Sequence, residues 1–68
     1  MAIVEIRLPA ADVFARLNEI ESWLDARGIK PAKITSTGAR DEMVIFYEFE
    51  KTSDAEEFAG VFSGSLIG

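Results

Sequence analysis

Glu5 and Glu48 have the best claim to chemistry in this chain. If the segments carrying them pair as strands, both carboxylates reach one sheet surface, where a protonated acid beside an ionised one makes a general acid and base. Arg7, two residues from Glu5, offers the plainer alternative of an ion pair on a solvated face. Nucleophilic triads are out of reach, because the chain has no histidine and no cysteine to activate a hydroxyl. Its serines have structural explanations: Ser53 reads as a helix cap, Ser63 and Ser65 flank a glycine at a helix end, and Ser36 belongs to an edge strand. Glu48 and Glu50 alternate along one strand and offer oxygens to a hard cation, yet no compact loop of acids and glycine resembles a calcium site. The glycines are isolated, so none forms a phosphate-cradling loop. No residue constellation calls for a metal or cofactor, and the expectation is a protein that is not an enzyme.

The elements that position these groups follow from periodicity. Ala2 to Leu8 alternates, with Val4, Ile6 and Leu8 on one side and Ile3, Glu5 and Arg7 on the other, which predicts a strand covered on one face. Pro9 stops pairing and opens a helix whose stripe is Val13, Phe14, Leu17, Ile20 and Leu24, ending near Arg27 because Gly28 suits the left-handed C′ position. Trp23 lies roughly 100° from the stripe's centre at 100° per residue, which places it at the rim of the core or at a contact. Ala32 to Thr37 reads as a polar edge strand with Ile34 inward, and Gly38 to Asp41 as a turn. Glu42 to Lys51 is apolar on both faces: Met43, Ile45, Tyr47 and Phe49 point one way, Val44 and Phe46 the other, as expected of a central strand. Ser53 and Glu56 form a capping-box pair for a second helix from Asp54 to Ser63, with Gly64 at C′ and Ser65 to Gly68 remaining.

The order β-α-β-β-α in one domain, residues 1–68, predicts an α+β two-layer sandwich. A right-handed crossover leaves a gap between the first two strands that the third fills, giving an antiparallel three-stranded sheet of order 1-3-2 with both helices on one face. This is similar to a ferredoxin-like topology lacking a full fourth strand, for which only Leu66 and Ile67 could stand in. The passage "ARGIKPAKI" and the topology loosely resemble ACT regulatory domains, which would imply an amino-acid or small-metabolite sensor. Where those domains usually carry glycine before the first helix, this chain has Ala10 and Ala11.

At 68 residues a lone core is marginal, and the absence of cysteine and histidine removes the best ligands for disulfide or zinc reinforcement, leaving association as the supplement. The formal charge of -5 repels phosphate backbones and anionic lipid, so no nucleic-acid or membrane partner is expected. With no basic leader and no apolar run of spanning length, a soluble cytoplasmic protein is expected. The expected function is a small non-catalytic interaction module, a homodimer through the open sheet face or the strand-one edge, with another protein as the other possible partner. The contact residues are expected to be Ile3, Glu5, Arg7, Val44, Phe46 and Glu48, with Trp23 at the rim.

Overall fold

The computed structural model describes residues 1–68, the side chain of Ala39 excepted. Strand β1 (Ala2–Pro9) runs through a single 3-10 turn (Ala10–Asp12) into helix α1 (Val13–Arg27). Strands β2 (Lys33–Ala39) and β3 (Glu42–Phe49) form a hairpin, followed by helix α2 (Thr52–Phe62) and a two-residue strand β4 (Ser65–Leu66). The result is an α+β fold with an open antiparallel sheet of four strands in the order β2-β3-β1-β4. This corrects the expected three-stranded sheet: Ser65 and Leu66 pair with Glu5 and Val4, adding a strand outside β1.

Both helices lie on one face. Val4, Ile6 and Leu8 of β1 and Ile45, Tyr47 and Phe49 of β3 join Val13, Ile20, Leu24, Ala55 and Phe58 in one buried cluster. Phe58 is its hub, with ring centroids 4.9 Å from Tyr47, 5.1 Å from Phe49 and 5.2 Å from Phe62, distances at which tilted aromatic pairs attract.

Helix ends explain where the chain turns. Gly28 adopts φ 66°, and the Ile29 N–H donates to the Leu24 carbonyl at 3.0 Å, closing α1 with a Schellman turn. At the end of α2 the left-handed residue is Ser63, φ 55°, one place earlier than expected, and the Gly64 N–H donates to the Ala59 carbonyl at 2.9 Å. Gly64 is needed for room instead: a Cβ there would lie 2.6 Å from Ile6 Cδ1 and 2.7 Å from Val4 Cγ1. The expected capping box also fails, because α2 begins at Thr52 and no side chain caps it, so Ser53 lies inside the first turn. The turn expected over Gly38 to Asp41 shrinks to Arg40 and Asp41, with Gly38 and Ala39 still paired to Met43 and Glu42.

Two expected core residues are exposed. Phe14 is 84% accessible and Ile34 is 57% accessible. Along α1 the buried residues Val13, Ile20 and Leu24 set the stripe, and Phe14 falls roughly 90° from its centre, toward β2. No helix lies beyond α1 on that side, so neither Phe14 nor the helix-side face of β2 is roofed.

Candidate interaction surface

The side of the sheet away from the helices carries Ile3, Glu5 and Arg7 from β1, Val44, Phe46 and Glu48 from β3, and Lys33, Thr35 and Thr37 from β2. Registry arranges them in rows: Thr37, Val44 and Arg7; then Thr35, Phe46 and Glu5; then Lys33, Glu48 and Ile3. The Ile67 N–H donates to the Ile3 carbonyl at 2.8 Å, which sets Ile67, 52% exposed, beside Ile3. An apolar diagonal therefore crosses the face from Ile67 through Ile3 and Phe46 to Val44, bordered by charge.

Val44 is the best shielded of these, 8% exposed although it belongs to no part of the helix-side core. Its cross-strand neighbours are Arg7 and Thr37. Phe46 and Ile3 are half-buried, so the apolar character that remains open to solvent centres on them and on Ile67.

Arg7 organises the charges. Its Nε donates to Glu5 Oε2 at 2.6 Å and its Nη1 to Glu42 Oε1 at 3.2 Å. The hydrogen bond and charge of Glu5, then those of Glu42, raise the Arg7 pKa above its ordinary value, so the guanidinium stays charged under all working conditions. Both ion pairs are solvent-exposed and fix side-chain position more than they add stability.

Glu5 and Glu48 are not brought together as a pair. Glu5 stands opposite Phe46 and Glu48 opposite Ile3, so the two are diagonal neighbours, and Glu5 is held by Arg7. They lie on the flat face, whereas the concave sites beside α1 and near the ends of α2 are lined by neither. Among the described residues no group of three or more acids is placed to hold a metal ion.

Trp23 is separated from the other proposed contact residues by the full thickness of the molecule. It sits in the seam between α1 and α2, edge-on to Phe62 at 5.7 Å and tilted to Phe58 at 5.8 Å, with the Arg27 guanidinium 4.7 Å from its ring centre. Arg27 also pairs with Glu57 of α2, closing the same seam. Ile67 is the face residue that sequence reasoning left out; the apolar pair Leu66-Ile67 was the available signal, and its register was not.

No helix is long and apolar enough to cross a membrane among the described residues. No protein family matches the chain, and neither does any curated protein or solved structure.

Proposed function

We propose that this protein is a small non-catalytic interaction module of the cytoplasm that self-associates by stacking the helix-free face of its sheet on that of a second copy. The element order supports reading the fold as ferredoxin-like with an abbreviated fourth strand. One observation carries the functional reading: the apolar diagonal of Ile67, Ile3, Phe46 and Val44 lies on a face that no element of its own chain covers. The strand-one edge has less to offer. Ile3 and Glu5 are already engaged by the C-terminal segment, and beyond them Pro9 has no N–H, which leaves Arg7 as the one donor.

An ACT-like sensor is the competing proposal. Its support is thinner: the concavity at the first βα junction offers Arg40 and Glu42 to a zwitterion, but the chain has Ala10 and Ala11 where the resemblance calls for a glycine beside the ligand's backbone.

Light scattering on the full chain tests the main reading. The expected particle is heavier than one chain, and Phe46→Asp lowers its mass while far-UV dichroism is unchanged. A particle of one chain at millimolar concentration, with a melting temperature independent of concentration, would refute self-association.

A further inference from the structure

The outer margin of β2 is a second unfinished surface. Ile3 both donates to and accepts from the C-terminal segment, so odd residues of β1 turn their backbone groups toward β4 and even ones toward β3. Carrying this alternation across the registers turns the even residues of β3 toward β2, where they pair with the odd residues of β2. Ile34, Ser36 and Gly38 are left with N–H and C=O directed outward. Natural edges are usually guarded by proline, bulges or several charges. Strand β2 has no proline, and Lys33 at its first position is its only charge.

We infer that β2 pairs antiparallel with the β2 of a second copy about a twofold axis at Ser36, joining two four-stranded sheets into one of eight strands. In this register Ile34 stands opposite Gly38 and Ser36 opposite its own counterpart, so every outward donor and acceptor is satisfied. A slip of two residues strands one end of the row. Paired residues share a face, so Ile34 is delivered to the helix side of the partner, where Gly38 offers no side chain. The space there is a concavity of about 330 Å³ lined by Val13, Phe14, Gly38, Arg40 and Met43 among others. Filling it covers Phe14 and Ile34, the two large apolar side chains that the fold leaves bare on this flank.

Charge is neutral toward this register, since Lys33 comes to lie beside the partner's Arg40-Asp41 turn, whose two residues carry opposite charges. Area favours a second contact. At about 4.8 Å per strand and 3.3 Å per residue the helix-free face measures roughly 400–500 Å², small against the roughly 800 Å² per partner of a standard interface.

The edge contact is independent of the stacked face and goes beyond it. Because the twofold axis stands perpendicular to the sheet, both copies keep their helices on the same side and their open faces on the other. Two such eight-stranded sheets stacked face to face give a particle of four chains.

Particle mass separates the two contacts. The wild-type chain is expected as four copies, with Ser36→Pro, Ile34→Glu and Phe46→Asp each reducing it to two while far-UV dichroism is retained. Ser36→Pro combined with Phe46→Asp should give one. Ile34→Glu changes a residue already exposed and decides the matter if the proline variant misfolds. A wild-type mass unchanged in both Ser36→Pro and Ile34→Glu overturns the edge pairing, whatever Phe46→Asp does. A two-chain wild type that Ser36→Pro splits, and Phe46→Asp does not, upholds the edge and refutes the face. A single-chain wild type refutes both. Amide exchange gives a second readout: Ile34, Ser36 and Gly38 should be protected in the assembled particle and lose protection on dilution, and fast exchange at all concentrations overturns the inference.

Discussion

Tyr47 shows how one side chain of this core couples folding to pH. Its ring is packed against Phe58, and burial, with a smaller contribution from the Glu21 carboxylate, raises the phenol pKa above its ordinary value. The sign follows from which state loses its proton first. Below about pH 10 the phenol is neutral folded or unfolded; above it the unfolded chain ionises before the folded one, so stability falls as pH rises through the folded value. Denaturation midpoints between pH 7 and 11 should therefore drop more steeply for wild type than for Tyr47→Phe, and equal slopes would contradict this. At neutral pH the substitution should cost roughly 0.5 kcal/mol or less, because the hydroxyl makes no side-chain hydrogen bond among the described residues and is not a buried unpaired group.

At the scale of elements, the end of α2 comes tightly against β1 at Gly64. Gly64→Ala is expected to destabilise by about 1–3 kcal/mol, the usual cost of overpacking, since the new methyl meets Ile6 and Val4 on a backbone fixed by the Gly64 to Ala59 hydrogen bond. Urea midpoints measure it, and a change below about 0.5 kcal/mol would place this junction among surface sites. The same junction marks what the sequence made legible. Both helices, the long strands and the Gly28 stop could be read because periodicity and a left-handed glycine are local signals. The end of α2 could not: Ser63 takes the left-handed conformation so that Gly64 is free to touch β1, and that approach is tertiary. Phe14 and Trp23 make the same point. Each lies about 90° from the stripe of α1, but α2 covers one flank and nothing covers the other, so their angles agree while their fates differ. On the candidate face the alternation picked out Ile3, Val44 and Phe46, whereas the register that separates Glu5 from Glu48 and brings Ile67 beside Ile3 depends on pairing that no single strand encodes.

For the molecule as a whole, two helices above four strands leave one sheet face and the long β2 margin uncovered. Each copy also carries a formal charge of -5, so the proposed assembly would bring like-charged bodies together. Screening that repulsion should tighten the assembly: raising salt from about 0.05 to 0.5 M, which shortens the Debye length from roughly 14 Å to 4 Å, is expected to increase particle mass at a fixed low concentration. Sedimentation measures it, and dissociation by salt would mean that ionic contacts, rather than the apolar diagonal and the strand margin, hold the particle together. The chain's one tryptophan, wedged between the helices on the side remote from both proposed contacts, makes these processes optically separable. Emission from Trp23 will shift when the helix layer comes apart and stay silent when whole copies merely part, so unfolding and disassembly can be followed in one cuvette without an added dye.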